Sequence, residues 1–141
     1  MCIRDSWVSA HEPLYNALFN HLLQSPFNDK VVSIEDGMKV ELVKPYAIVG
    51  ETNVIESESS TSMYEDIAVQ MHVYTDSKPQ CRELLRHLKF YAKQKPFEID
   101  GYEIQKVRLS NEQVMNDIDP DTSHGVLRLV YTVRHLVLYR K

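Results

Sequence analysis

The sequence has too few cysteines and glycines to form several common kinds of functional site. Its 141 residues include two cysteines, Cys2 and Cys81, and no CxxC pair, which excludes a disulfide framework and a cysteine-rich metal site. The four glycines form no GxGxxG, GxSxG or Walker pattern, so neither a phosphate-binding loop nor a nucleophile elbow is predicted. A chain with so few cysteines is expected to be made in a reducing cytoplasm.

Long apolar runs and a net positive charge are also missing. The longest apolar stretch, residues 126–139, is interrupted by Arg128, Arg134 and His135 and does not predict a membrane span. The N-terminus lacks the apolar core of a secretory signal peptide. A net charge of −4 and a pI near 5.8 argue against sequence-independent nucleic-acid binding. With 43% apolar and 26% charged residues, the composition is that of an ordinary globular domain.

The histidines form no recognisable ligand motif. His21 and His87 fall on separate predicted helices, and His72 and His135 fall on separate predicted strands. No HxH, HxxxH or HxxE pairing occurs, so solvated or capping roles are expected and no metal site is predicted.

Two further candidates for chemistry also fail. The segment DIDPDTSHG begins like a calcium loop, but Thr122 and Arg128 stand where that loop needs a glycine and a glutamate. Cys81 lies in the first turn of a predicted helix, where the dipole lowers a thiol pKa, yet it also lies on the apolar stripe and is expected to be buried. We therefore predict no catalytic residue, no cofactor and no enzymatic activity.

Hydrophobic periodicity predicts an α+β fold. A helix is expected over Glu12–Gln24, and a second one after the probable N-cap Ser77, ending at Lys95-Pro96. Short strands are expected on both sides of the Glu35–Gly37 turn, and longer strands over 46–55, 63–75, 102–109 and 126–139. This order favours an antiparallel sheet with two helices packed on one face.

A long polar loop joins the two strands that begin at Tyr46 and Met63. Such a loop is either idle surface or a contact for another protein, and we treat it as a candidate interaction site. Its residues are Glu56, Ser57, Glu58, Ser59, Ser60, Thr61, Ser62, Met63 and Tyr64.

The second predicted helix carries a cationic face opposite its apolar stripe. A solvated face is the default interpretation. The functional alternative is a docking patch for an acidic partner surface. Its candidate residues are Arg82, Arg86, Lys89 and Lys93.

The first residues need separate treatment. The segment MCIRDS resembles the translation of an adapter used in making sequencing libraries. A disordered native terminus is the alternative. We expect residues 1–11 to be disordered or artefactual and residues 12–141 to form a single α+β domain.

Three segments in this order resemble the tail-completion, or tail-to-head joining, proteins of long-tailed phages. They are PYAIVGET, VQMHVYTDSKPQCRELLRHL and DPDTSHGVLRLVYTVRHL. The resemblance covers roughly residues 12–137. Its most specific part is the stretch from His124 to Arg128, preceded by Asp119-Pro120-Asp121, with which family members enter their last strand.

The resemblance implies a structural virion protein that needs no cofactor. Such a subunit would be made in the host cytoplasm and would assemble as a hexameric ring on the head-proximal end of the tail tube. Its partners would be copies of itself, the tail tube protein and a head connector or neck protein. DNA would only pass through, and no membrane would be involved. Three alternatives stay open. They are another small neck or connector subunit, a cytoplasmic ligand-binding regulatory domain and, ranked last, an enzyme with carboxylate chemistry on the open face of the sheet.

Overall fold

The computed structural model describes residues 9–37, 42–55, 64–94, 97–99, 101–116 and 121–135. Within these ranges the chain folds into two helices and a five-stranded sheet, which confirms the predicted α+β class. None of the described helices is long and apolar enough to cross a bilayer. The elements are α1 His11–Gln24, a 3₁₀ turn Pro26–Lys30, β1 Ser33–Glu35, β2 Tyr46–Ile55, β3 Tyr64–Thr75, α2 Lys78–Lys89, a π turn Phe90–Gln94, β4 Tyr102–Asn116 and β5 Ser123–His135.

The sheet is mixed, because one of its strand pairs is parallel. The strand order is β1-β2-β3-β5-β4, and β1 pairs parallel with β2, whereas the other neighbours are antiparallel. The sequence predicts a second short strand just after the Glu35–Gly37 turn. This prediction is wrong for Leu42 and Val43, which lie outside any strand. The remainder of that predicted strand, residues 38–41, falls outside the described residues. A three-residue strand gains more from joining the large sheet than from an isolated hairpin.

Both helices follow their predicted apolar stripes. In α1, Leu14, Leu18 and Leu22 are fully buried, as expected for side chains four residues apart on one helix face. The Ser77 side chain accepts a hydrogen bond from the Gln80 amide at 3.4 Å, which confirms the predicted N-cap of α2.

The core lies between the two helices and one face of the sheet, called here the helix face. Its sheet side is formed by alternate residues of the inner strands, since side chains of a strand alternate between faces. The opposite face, called the open face, carries polar residues together with a second, smaller cluster of buried apolar side chains, formed by Tyr46, Ile48 and Tyr74. The helix-face residues of the three inner strands in the core are Ala47, Val49, Ile67, Val69, Met71, Val73, Leu127, Leu129, Tyr131 and Val133.

The final part of the chain differs from expectation in length. Gly101 adopts a φ of +85° at the predicted turn, but its upstream arm makes just an isolated bridge between Ile99 and Tyr102. By contrast, β4 continues to Asn116, well beyond the predicted end at Leu109. Pairing with β5 explains this extension, because residues 111–116 of β4 pair with β5 although their own sequence is polar.

Candidate interaction surfaces

The predicted hairpin forms, and its polar loop leaves the sheet between β2 and β3. The two strands pair from Tyr46 opposite Tyr74 up to Ile55 opposite Asp66, with a bulge between Val49 and Thr52. The loop residues 56–63, which include most of the predicted interaction site, lie outside the described residues. The stem is anchored on its other side as well, because β3 pairs along its whole length with β5.

Apolar surface is exposed at the base of this loop. Tyr64, the described member of the predicted loop site, begins β3 opposite Arg134 of β5 and is 37% exposed. Val54, on the outgoing strand, is 45% exposed. The two side chains lie on opposite faces of the two-stranded stem, because Val54 pairs with Ile67 of the helix face whereas Tyr64 lies on the open face.

The four predicted cations of α2 do not have equal freedom to meet a partner. Arg82 and Arg86 are exposed, whereas Lys93 is half-buried. The Lys89 ammonium donates a 2.8 Å hydrogen bond to the Glu112 carboxylate of β4. The charge available for an acidic partner is therefore concentrated on Arg82 and Arg86.

The open face brings together side chains that sequence spacing had kept apart. The rings of His72 on β3 and His124 on β5 are joined by a 2.9 Å hydrogen bond between Nδ1 and Nε2. The other nitrogen of His72 lies 3.1 Å from the Glu51 carboxylate. A backbone hydrogen bond and, after it, this contact with His72 lower the pKa of Glu51. Tyr74 stacks on His124 with ring centroids 4.3 Å apart.

This contact was missed because its members are far apart in sequence and close neighbours in the sheet. His72 lies opposite Val126, and His124 lies opposite Tyr74, so the two histidines are diagonal neighbours across a strand pair. Among the residues that the structure describes, no group of three or more His, Cys, Asp or Glu side chains could hold a metal ion. The hydrogen bonds hold these side chains in place on the open face.

A second polar cluster is buried at the start of α1. The Glu65 carboxylate accepts hydrogen bonds from the Ala10 amide and the Ser9 hydroxyl, each at 2.7 Å. His135 at the end of β5 lies 2.8 Å from the same carboxylate through Nε2. The predicted domain boundary after residue 11 stays a prediction, but the helix begins at His11 and its two preceding residues are held by β3.

One sequence signal could have found this cluster. Glu65 occupies the same face of β3 as Ile67 and Val69, and a carboxylate on the buried face of a strand requires hydrogen-bond partners. Its partners Ala10 and His135 are 55 and 70 residues away along the chain, so the sequence could indicate that partners were needed without identifying them.

The described thiol is not activated. Cys81 is fully buried, as its place on the apolar stripe predicted, and burial raises the pKa of its thiol. A raised pKa leaves little thiolate at neutral pH, which disfavours nucleophilic chemistry.

This chain is similar to phage tail completion proteins over most of its length. The family model of "Tail completion protein gp17" matches residues 16–134. The tail completion protein gp17 of Bacillus phage SPP1 is 21% identical over 132 residues, covering 92% of this chain and 98% of the relative.

Solved structures show the same fold. A chain from the virion of a native gene transfer agent particle superposes with a TM-score of 0.74 at 12% identity, over 86% of this chain and 94% of that one. The structure of the bacteriophage SPP1 gp17 protein superposes with a TM-score of 0.65 at 20% identity, over 94% and 96%.

Proposed function

This chain belongs to the tail completion protein gp17 family, and on that premise we propose that it caps the head-proximal end of a phage tail tube and joins the tail to the head connector as a hexameric ring. Family membership gives a structural role in the phage tail. The finer role, the six-fold ring and the individual partners belong to the proposal. The observation that carries it is the match over residues 16–134, which contains α2, β1 to β4 and all of β5 except His135.

The geometry of the hairpin supports a joining role. A loop whose β3 arm is hydrogen-bonded on both sides can reach a neighbouring protein without loosening the core, because β3 lies inside the sheet between β2 and β5. Segments that contact a partner late in assembly are commonly the ones that order on contact. The exposed Val54 and Tyr64 provide one apolar side chain on each face of the stem for contact with a second protein.

The exposed cations of α2 provide a different kind of contact. Arg82 and Arg86 lie one helical turn apart and point away from the core. Arginines in such a position suit an acidic rim on a partner, where charge complementarity orients docking. In the proposed role, the loop and these two arginines contact the tail tube and the head connector.

The direct test is assembly with purified particles. Native mass is measured over a concentration series for a chain that starts at Trp7, alone and with purified tail tubes or head connectors added. The proposal expects rings of six subunits, either free or on tube ends, and tubes capped in this way should bind connectors. Binding to connectors without binding to tube ends would instead indicate a neck subunit. A chain that stays monomeric and binds neither would overturn the proposal.

A further inference from the structure

The sheet ends in a long strand that has one described neighbour. β4 spans 15 residues and pairs, within the described ranges, with β5 alone. Most of its side chains from Arg108 to Asn116 are exposed. An edge of this length presents a row of main-chain donors and acceptors, and such edges in soluble proteins are usually short, covered or paired.

The opposite side of the sheet has an open edge as well. There β1 covers only the beginning of β2, from Tyr46 to Ile48. Residues 50–55 of β2 pair on one side with β3 and, within the described part of the chain, with no strand on the other. This open segment is roughly 20 Å long at the usual rise per residue, about the length of an average strand.

The strand directions make these two edges compatible. Three successive antiparallel pairings separate β2 from β4, so the two strands run in opposite directions. Rotation about an axis along the strands preserves their directions. A copy rotated in this way would present its β2 antiparallel to β4 of the first copy, and antiparallel pairs are the slightly more stable kind.

The open face supplies complementary charge at the same level of the two edges. Asn53, Ala68, Val130 and Arg108 form one row across the sheet from β2 to β4. On the β4 side, Arg108 and its open-face neighbour Lys106 are exposed and make no ion pair with any described residue.

On the β2 side of the same face the carboxylate is that of Glu51, while Arg128 of β5 donates a 3.2 Å hydrogen bond to the Asn53 side chain. The Glu51 side chain is 76% exposed and lies on the open face, where it contacts His72. Two strand edges that carry opposite charges attract each other, and their charges also fix the register of pairing.

We propose that β4 of one copy adds to residues 50–55 of β2 in the next copy, so that the five-stranded sheets join edge to edge around the ring. This inference rests on the ring of the proposed function and names the surface that closes it. The contact is heterologous, because each copy contributes a different edge on each side, and such contacts close into rings when the rotation is right. Each copy also covers an edge that would otherwise stay open.

The test is chemical cross-linking of cysteines placed across the proposed junction. Asn53→Cys and Arg108→Cys are combined in a chain carrying Cys2→Ser, and assemblies are treated with a bismaleimide that spans roughly 8 Å, the separation of diagonal cross-strand neighbours. Cys81 stays in place because it is fully buried. We expect a ladder of covalent products from two to six chains. Each single-cysteine variant lacks one of the two cysteines that must meet at a junction, so it should give no ladder.

A matched control separates this inference from the proposed function. A second double variant, Asn53→Cys with Arg82→Cys, carries its second cysteine on α2 instead of on β4. In one negative result, native mass detects rings while the Arg108 pair gives no ladder, and in another, only the Arg82 pair gives one. Either result would overturn edge pairing but would not contradict the ring of the proposed function. Absence of any ring, with or without tail tubes, would overturn both. The bulges of β4 near residues 105 and 110 and its cations are also features that keep an edge strand unpaired. If they do so here, rings should form without a ladder from the Arg108 pair.

The unaltered chain provides an independent measurement. Amide hydrogen exchange is compared between monomer and ring for segments 50–55 and 102–116. Edge pairing predicts at least a tenfold slowing for the outward-facing amides of both segments. Unchanged exchange in both would contradict it, whatever the effect of the substitutions on assembly.

Discussion

Gly125 lies so close to Cys81 that there is no space for a side chain between them. A Cβ added to Gly125 would lie 2.7 Å from the Cys81 Sγ and 2.8 Å from the Leu85 Cδ1, which brings α2 into direct contact with the β5 backbone. Glycine is used where a helix must approach a strand this closely. The segment His124 to Arg128, which carries the most specific part of the family resemblance, thus contains a packing requirement.

Gly125→Ala should destabilise the protein by about 1–3 kcal/mol, the usual cost of overpacking a filled core. Urea unfolding of the monomer measures it. Gly37→Ala is the matched control, because a Cβ there meets nothing within 4 Å, and its effect should stay within about 0.5 kcal/mol. The double variant Gly125→Ala with Cys81→Ala should lose less free energy of unfolding than the sum of the losses measured for the two single variants. Strict additivity of the single effects would show that the contact is unimportant.

Glu65→Ala should cost roughly 2–5 kcal/mol in the free energy of unfolding. It removes the acceptor of the buried Ala10 amide and the partner of His135, and each buried polar group left without its partner costs about 1–3 kcal/mol. The control is Asp66→Ala, which removes the hydrogen bond of Thr132 on the open face and should cost about 1 kcal/mol. Equal costs for the two variants would show that Glu65 does not hold the start of α1 in place.

Tyr131→Phe should change the dependence of stability on pH. The Tyr131 hydroxyl donates a 2.6 Å hydrogen bond to the Ala92 carbonyl, so its loss should cost about 1 kcal/mol at pH 7. Burial raises the pKa of Tyr131 well above the ordinary value near 10. The unfolded chain therefore loses this proton first, and the contribution of Tyr131 to stability falls as the pH rises above about 10.

The free-energy gap between the wild-type protein and Tyr131→Phe should accordingly narrow between pH 9 and about 11, measured by denaturant unfolding at each pH. A gap that stays constant or widens with pH would contradict the assignment to the Tyr131 hydroxyl.

Shortening the hairpin loop should separate folding from joining. Replacing residues 56–63 with a short glycine-serine turn removes the candidate contact while the described β2–β3 pairing is retained, so the thermal unfolding midpoint should change by a few degrees at most. Joining of tails to heads, counted by electron microscopy, should be lost. A full-length glycine-serine loop tests composition separately from length. Normal joining with both replacements would make the loop idle surface.

Reversing the exposed cations of α2 should weaken docking without unfolding the subunit. Arg82→Glu with Arg86→Glu changes two exposed residues, so stability should change by less than about 1 kcal/mol. Binding to the acidic partner should weaken at least tenfold, with a reduced dependence on salt, since screening acts on exposed charge pairs. Lys78→Glu, exposed at the start of the same helix, is the control for a general charge effect. Unchanged binding would return this face to a solvated role.

Local patterns in the sequence determined much of this fold. The stripe of Leu14, Leu18 and Leu22 fixed α1, and Ser77 fixed the start of α2, because helix periodicity and capping depend on residues within a few positions. Alternation in β3 likewise identified its buried face. The absence of catalytic motifs, together with the ordered segments of the resemblance, was enough to indicate a tail protein.

The tertiary structure alone decided which distant residues meet. The parallel partner of β1, the length of β4, the contact between His72 and His124, and the junction of Glu65 with His135 all depend on strand order and register. These are set by pairings between segments tens of residues apart, and no local pattern specifies them. The two open edges of the sheet, from which the ring contact is inferred, likewise exist only once the order β1-β2-β3-β5-β4 is known.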